Sequence, residues 1–211
     1  MKNLSGTKEA IFDTFVKMTS DLGYENVTIR DIAENVGLKG ASLYNHFESK
    51  GKMLECAYQY YAERQYDTRT SVDRMRKLIE TARAEEIIAA LSYTFETEDQ
   101  KKYIRMILIT KIIYMRLYQD PVANAIFAET HENNAEYVRS VLQHGINIGR
   151  LDPEFDIMTF ADVLIGSKTI MGIRSFAGVD YVVGQLAEEG NILTLLARLL
   201  SVALIDTTDY K

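Results

Sequence analysis

The sequence contains a single cysteine, Cys56, among its 211 residues. One cysteine excludes an internal disulfide and any zinc site built from several cysteines. Three histidines, at positions 46, 131 and 144, lie too far apart in the sequence to indicate a metal cluster. Two prolines and 12 glycines, without a glycine-rich or serine-rich tract, argue against long disordered linkers. We therefore expect an ordered chain without a metal or other cofactor.

Long apolar runs are also missing. The longest one, from position 106 to position 115, is interrupted by Lys111 and is shorter than the roughly 20 residues that a membrane helix needs. No apolar segment typical of a signal peptide follows the N-terminus. Hydrophobic residues make up 47% of the sequence, which suffices for a core. We expect a cytoplasmic globular protein.

Positive charge is scarce, because 24 lysines and arginines stand against 30 acidic residues, a net charge of −6. Residues 1–50 hold six basic and seven acidic side chains, a formal charge of −1. This balance disfavours general affinity for polyanions, so a nucleic-acid-binding protein with this sequence must place its basic groups locally. Its non-specific DNA binding is expected to be weak and strongly dependent on salt.

Helical periodicity extends through nearly the whole sequence. We predict an all-α fold with an N-terminal three-helix helix-turn-helix domain (residues 1–49) and a larger helical ligand-binding and dimerisation domain (residues 50–211). The predicted helices cover residues 7–22, 29–35, a third helix that ends near residue 46, 50 to about 77, 85–95, 99–118, 134–148, 155–176 and 183–205. Glycines at 23 and 37 fit the ends of the first two helices, because glycine adopts left-handed backbone at low cost.

The stretch VGLKGASLYNHFESK, residues 36–50, has slim residues at the start of a helix. Two short helices joined by a tight turn form a helix-turn-helix, whose second helix can enter a DNA major groove. Gly40, Ala41 and Ser42 would let its backbone approach the bases, and Lys39 and Ser42 could bond to base edges. The alternative is a plain helical packing unit.

Polar side chains surround this helix start. Tyr44 and His46, two residues apart, leave the helix on different sides and could hold the flanking phosphates. Thr28 and Lys50 lie at the starts of two further helices, and helix N-termini favour anions. Such contacts fix the register of a protein on DNA without reading the sequence.

The longer segment TIRDIAENVGLKGASLYNHFESK, together with the first helix and GYENVT, resembles the DNA-binding signature of tetracycline-repressor-type (TetR family) regulators. The resemblance covers the first quarter of the chain and implies a dimeric repressor whose larger C-terminal domain binds a small molecule and then releases DNA. Carried over by position, it implies a DNA site formed by Thr28, Arg30, Lys39, Gly40, Ala41, Ser42, Tyr44, Asn45, His46 and Lys50. The family often has serine at position 39 and an acidic residue at position 51. Lys39 therefore predicts a recognition helix without a side-chain cap.

The two C-terminal helices are apolar on more than one side. In the last one, a broad stripe consists of Ile192, Leu195, Leu196, Leu199, Leu200 and Ala203, with Leu193, Val202 and Leu204 outside it. A helix that is apolar on two sides needs two partners. We predict a homodimer in which this helix pair meets its copy about a two-fold axis, which would suit a pseudo-palindromic DNA site. Complete burial within a monomer is the alternative.

A ligand pocket for a largely apolar effector is predicted among tyrosines, methionines and isoleucines on several helices. Its predicted residues are Tyr61, Tyr93, Tyr103, Met106, Ile107, Thr110, Tyr114 and Met158, and Tyr58, Phe95 and Tyr118 could extend it. Each of these residues is also a normal core residue. Lys111, Arg116, Lys168, Arg174 and His144 interrupt apolar segments, and we expect their side chains to extend to solvent.

Three functions compete at this point. The first is a ligand-responsive transcriptional regulator, and the second is an enzyme. No glycine-rich phosphate loop, nucleophile elbow or His-Glu-x-x-His motif supports an enzyme. The third is a helix-turn-helix protein that has lost DNA binding and acts through protein or ligand contacts. Whether the protein represses or activates transcription is left open.

Overall fold

A computed structural model describes residue 4 and residues 6–66, 69–92, 99–177 and 192–205. These residues form ten α-helices and a 3-10 helix, Tyr24–Asn26, which confirms the predicted all-α class. In chain order the α-helices are α1 (Gly6–Leu22), α2 (Ile29–Asn35), α3 (Gly40–Leu43), α4 (Lys50–Arg64), α5 (Val72–Thr81), α6 (Ala84–Ser92), α7 (Gln100–Arg116), α8 (Pro121–Asn147), α9 (Ile157–Phe176) and α10 (Ile192–Ala203). No helix among the described residues is long and apolar enough to cross a membrane.

The chain divides into two compact units. The first consists of Met1–Asp67 and Thr97–Glu129, and the second of Thr68–Glu96 and Thr130–Lys211. The first unit therefore holds α1 to α4, α7 and the start of α8, and it is larger than the predicted helix-turn-helix domain. The second holds α5, α6, the remainder of α8, α9 and α10. The predicted boundary between residues 49 and 50 stays a prediction.

The core of the first unit lies between α1, α4 and α7. Ile11, Phe12 and Phe15 on α1 are fully buried, as are Met53 on α4 and Ile109 on α7. Burial of apolar side chains of this size stabilises a fold by about 1.5–3 kcal/mol each. These contacts fix α1, which packs against α2, and α2 in turn packs against α3.

The turn between α2 and α3 depends on one glycine. The amide of Leu38 donates to the carbonyl of Ala33 (2.8 Å), and the amide of Gly37 donates to the carbonyl of Glu34 (3.2 Å). This pair of bonds needs a left-handed residue just past the helix end. Gly37 supplies it with φ of 71°, so the predicted turn at this position is confirmed.

Two helix boundaries differ from the prediction by more than one helical turn. The helix predicted from residue 50 to about 77 ends at Arg64, and α5 begins at Val72, because Ser71 caps a new helix by accepting from the amide of Arg74. The helix predicted for residues 134–148 begins at Pro121 instead. Proline is tolerated in the first turn of a helix, because the backbone N–H groups there have no carbonyl acceptor within the helix.

The second unit has its own core between α5, α6, α8, α9 and α10. Ile79, Ile87, Leu142, Leu164 and Leu200 are fully buried in it. A Cβ at Gly145 of α8 would lie only 3.0 Å from Cδ1 of Ile79, so glycine allows close contact of these helices. The residues of the predicted helices at 93–95 and 183–191 lie outside the described residues.

The helices α9 and α10 each carry a buried and an exposed apolar face. Their exposed apolar residues are Met158, Val163, Ile170 and Ile173 on α9 and Leu195, Leu199 and Val202 on α10. The prediction of two apolar sides is therefore confirmed. The assignment to sides is partly wrong, because Leu193 packs inward while Leu195 and Leu199 face outward. We name the seven exposed residues the outer apolar face.

Candidate nucleic-acid interface

Thr28 begins α2 with a reciprocal cap. Its hydroxyl accepts from the amide of Asp31 (3.2 Å), and the carboxylate of Asp31 accepts from the amide of Thr28 (2.9 Å) and from its hydroxyl (2.6 Å). These bonds hold the pKa of Asp31 below its usual range. Such a capping box fixes the start of α2 and hence the position of the turn after it.

The start of α3 is open to solvent. Lys39 and Ala41 are exposed, and Gly40 and Ser42 are half-buried. Lys39 stands at the N-cap position without a side-chain cap bond, as predicted. A Cβ placed on Gly40 would meet nothing within 4 Å, so the glycine leaves open space beside the helix. The predicted slim edge, residues 39–42, is thus available on the surface of the first unit.

Polar side chains flank this edge on an anchored helix. Leu43 is fully buried and Phe47 is 6% exposed, and together they hold α3 on the core of the unit. Tyr44 is 55% exposed, Asn45 is also exposed, and His46 is half-buried. An edge of small residues with hydroxyl, amide and imidazole groups beside it can reach both bases and phosphates.

Arg30 has a partner within its own helix. Its guanidinium donates to the carboxylate of Glu34 at 2.8 Å, and both side chains are mostly exposed. An exposed ion pair of this kind contributes little to stability. The guanidinium can therefore exchange this partner for a phosphate at small cost.

Lys50 is held more tightly than the sequence suggested. Its ammonium donates to the carbonyls of Tyr24 (2.8 Å) and Val27 (2.9 Å) and lies 4.1 Å from the centre of the Tyr24 ring. An ammonium has three protons, so one is left for a phosphate oxygen. Lys50 joins the start of α4 to the segment that leads into α2. Its predicted phosphate contact stays a prediction.

A second cation supports the same segment. Arg116 donates to the carboxylates of Glu25 (3.2 Å) and Asp120 (3.2 Å), and its guanidinium stacks 4.4 Å from the Tyr24 ring centre. Only 14% of its side chain is exposed. The expectation that Arg116 extends to solvent is wrong, because two carboxylates and a ring hold it inside the unit.

Asp120 links this network to the middle of α4. The hydroxyl of Tyr58 donates to its carboxylate at 2.8 Å. Burial opposes ionisation of Asp120, but bonds from Tyr58, Arg116 and backbone amides outweigh it and keep its pKa below the usual range. Burial and the bond to Asp120 raise the pKa of Tyr58. The contacts thus connect two points on α4 with the segment before α2.

A buried arginine that sequence reasoning missed fixes α1. Arg105 on α7 is 6% exposed, and its guanidinium donates to Asp13 (2.7 Å) and Glu9 (2.7 Å) of α1. Lys101, one turn earlier, reaches the same carboxylates at 2.9 and 3.1 Å. The spacing offered a signal, since acidic residues four apart on α1 complement basic residues four apart on α7.

The predicted ligand residues fall in different places. Tyr61 on α4 and five residues of α7 (Tyr103, Met106, Ile107, Thr110 and Tyr114) belong to the first unit, whereas Met158 belongs to the second and is 54% exposed. Tyr93 and Phe95 lie outside the described residues, and Tyr118 is 99% exposed. Met106 is 4% exposed and packs in the core. That these residues form a pocket stays a prediction.

The first unit carries an open groove of about 490 Å³ between α4 and the start of α8. It is lined by Gly51, Leu54, Glu55, Tyr58, Gln59, Ala62, Asp120, Val122 and Ile126. Only Tyr58 belongs to the wider set predicted for the pocket. Cys56 is half-buried nearby on α4, and burial raises the pKa of its thiol. A raised pKa disfavours the thiolate, which is the reactive form of cysteine.

The described N-terminal region thus has the geometry of a helix-turn-helix, with α2 and α3 joined by the turn at Gly37. The sequence profile "Bacterial regulatory proteins, tetR family" matches residues 7–57. The biofilm operon icaADBC negative transcriptional regulator IcaR of Staphylococcus aureus (strain Newman) is 40% identical over 57 residues, 25% of this chain and 31% of the relative. The match therefore spans about a third of that relative. The similarity to the tetR family model therefore lies in residues 7–57 of the chain.

More distant relatives are similar over most of the chain. The transcriptional repressor KstR2 of Mycolicibacterium smegmatis is 24% identical over 152 residues, 71% of this chain and 70% of the relative. The structure of KstR2 from Mycobacterium tuberculosis superposes with a TM-score of 0.57 at 17% identity, covering 97% and 98% of the two chains. A regulator from Saccharomonospora viridis, solved in complex with choline, gives 0.59 at 18% identity, covering 92% and 93%. Similarity at this level of identity shows a shared fold.

Proposed function

We propose that the protein is a homodimeric, ligand-responsive DNA-binding transcriptional regulator, and specifically a repressor that a small molecule releases from a pseudo-palindromic operator. The observation that carries this proposal is the exposed edge of residues 39–42, flanked by Tyr44, Asn45 and His46 on a helix anchored in the core. The relatives reported above are named as regulators, which favours this function over an enzyme.

In the bound state, we expect α3 to lie in the major groove. Lys39, Gly40, Ala41, Ser42 and Asn45 would lie nearest the base edges. Phosphate contacts would come from Thr28, Arg30, Tyr44, His46 and Lys50. The names of IcaR and KstR2 as negative regulator and repressor support repression rather than activation.

The outer apolar face supports a homodimer. Three large side chains on α10 are about half exposed or more: Leu195 at 51%, Leu199 at 50% and Val202 at 88%. Contiguous exposed apolar patches of this kind mark interaction surfaces. A two-fold axis through such a face would place two recognition helices on one side of a DNA duplex.

Ligand response would be a shift between domain arrangements. An effector that favours an arrangement with mis-spaced recognition helices lowers DNA affinity by a coupling of about 1–3 kcal/mol. The contacts of α4 support its role in this change, because Lys50 holds the carbonyls of Tyr24 and Val27 while Tyr58 bonds to Asp120. A movement of α4 would therefore alter the support of α2.

Selection from a random duplex pool tests the proposal. We expect enrichment of a two-fold related sequence by the purified protein, and a Ser42→Ala variant should change the preferred bases. A protein that enriches no sequence at low salt would favour the alternative, a helix-turn-helix protein that acts without DNA. Sedimentation then tests the dimer: Leu199→Asp should yield monomers with weaker operator binding. Lys77→Asp, at an exposed site on α5 outside the outer apolar face, serves as a control.

A further inference from the structure

The inner face of α9 contains one charged residue. Ala161, Leu164 and Ile165 on this face are buried, and Met171 is 8% exposed. Lys168 follows Leu164 by four residues and Ile165 by three, so it lies on the same face. Instead of extending to solvent as expected, its ammonium turns inward and donates to the carbonyl of Leu91 at 3.1 Å. The expectation for Lys168 is therefore wrong.

This ammonium lacks a counter-charge. In the part of the chain that the structure describes, the Leu91 carbonyl is its hydrogen-bond partner, and no carboxylate pairs with it. Burial lowers the pKa of Lys168 to about 8, so the group is still mostly protonated at neutral pH. Lys168 is half-buried, and a cation that is partly withdrawn from water favours an anionic partner.

A second polar group lies beside the same carbonyl in the sequence. The hydroxyl oxygen of Ser92, the last residue of α6, is buried and has no hydrogen-bond partner among the described residues. The neighbouring carbonyl of Ala90 accepts from the hydroxyl of Thr70. A buried hydroxyl without a hydrogen-bond partner destabilises the fold. Near the end of α6, the described residues therefore include an ammonium without a counter-charge and a buried hydroxyl without a hydrogen-bond partner.

We propose that Lys168 and Ser92 form an anion-binding site within the second unit, and that it takes the carboxylate of a small molecule with an apolar body. One ammonium balances a monoanion, whereas a phosphate dianion would require more cationic partners. The apolar body follows from the neighbours of Lys168 on α9, which are buried aliphatic side chains. This inference rests on the proposed function, since it names the chemical class of the effector.

Lys168 has a purely structural alternative, because lysines can stabilise the last carbonyls of a helix. That role requires no ligand and leaves the hydroxyl of Ser92 unused. The two readings differ in one measurable property. If the two residues form an anion-binding site, an added carboxylate stabilises the second unit, and this stabilisation requires Lys168 and Ser92. The structural role predicts no such stabilisation.

The test is thermal unfolding of the full chain, without DNA, with octanoate, octanol, octylamine or inorganic phosphate as probes. We expect octanoate to raise the midpoint and the other three to leave it unchanged. Lys168→Met should weaken octanoate binding about 10-fold to 100-fold, as expected for the loss of a charged hydrogen bond. Lys168→Arg should keep the preference for octanoate, and Ser92→Ala should weaken binding less than Lys168→Met.

Lys77→Met is the matched control, because Lys77 is an exposed lysine on α5 of the same unit. Equal stabilisation by octanol, or equal weakening by Lys77→Met and Lys168→Met, would overturn the proposal. An equal response to inorganic phosphate would overturn the assignment to a carboxylate. Operator binding is measured separately, so a protein that binds its selected duplex but ignores octanoate refutes only the anion site.

Discussion

Replacing Arg105 with methionine tests whether its charged contacts hold α1 in place. Methionine keeps much of the buried aliphatic volume. It removes the hydrogen bonds to Glu9 and Asp13. It also removes the contacts of the guanidinium with the ring centres of Phe12 (5.7 Å) and Tyr60 (5.1 Å). Charged hydrogen bonds contribute about 1.5–3 kcal/mol each when well buried. The two carboxylate side chains are 26% and 31% exposed and keep Lys101 as a partner, which reduces the loss.

We therefore expect Arg105→Met to lower the free energy of unfolding by about 2–3 kcal/mol, which corresponds to a midpoint lowered by about 5–10 °C in a chain of this size. Calorimetry and chemical denaturation measure the change. Lys101→Met is the matched control: it removes a cation from the same carboxylates, but Lys101 is 59% exposed, so the expected loss is about 0.5 kcal/mol or less. Equal losses in the two variants would refute the reasoning.

The same contacts predict a dependence on pH. Bonds from Arg105 and then Lys101 lower the pKa of Glu9 below its ordinary value of 4.5. A carboxyl group whose pKa is lower in the folded state stabilises the fold above its unfolded pKa. This contribution is lost as the pH falls below 4.5 and through the folded pKa. In the Arg105→Met variant, the free energy of unfolding should therefore decrease less steeply with falling pH in this acidic range. A pH dependence as steep as that of the wild type would contradict the role of Arg105 in lowering the pKa of Glu9.

Three further predictions concern the helix-turn-helix. Gly37→Ala should destabilise the protein by about 1–2 kcal/mol, since alanine is strained at positive φ; an unchanged denaturation midpoint would contradict this. Thr28→Ala should cost about 1 kcal/mol through loss of the capping box, and Thr28→Ser should recover most of it in the same assay. Lys50→Ala should weaken binding to all DNA sequences alike and reduce the slope of log affinity against log salt by about 1. An unchanged slope would exclude a phosphate contact from Lys50.

The helix-turn-helix was predictable because its signals are local. Thr28 as a cap, Gly37 as a left-handed residue and the apolar pair Leu43 and Phe47 each act within a few residues of their own position. The start of α2 and its end agree with the predicted residues 29–35. The all-α class followed in the same way, from apolar periodicity that each helix carries by itself.

Contacts between distant segments were not predictable from such local signals. Arg105 meets Glu9 and Asp13 across more than 90 residues, and Arg116 meets Glu25 across a similar separation. The inward turn of Lys168 depends on the carbonyl of Leu91 on another helix. A polar residue in an apolar stripe indicates either extension to solvent or an internal partner, and periodicity alone does not distinguish the two.

The proposed function requires that the slender edge of α3 enters the major groove. Fluorescence anisotropy of the selected duplex with Ala41→Leu tests it most directly, because Ala41 is exposed and leucine is a good helix former, so folding should be unaffected. The matched control is Ala128→Leu, at an exposed alanine on α8 of the same unit. We expect the Ala41→Leu variant to bind the selected duplex about 100-fold or more weakly, because the larger side chain separates the helix from the base edges. The affinity of the Ala128→Leu variant should be unchanged. Full affinity in the Ala41→Leu variant would contradict the claim.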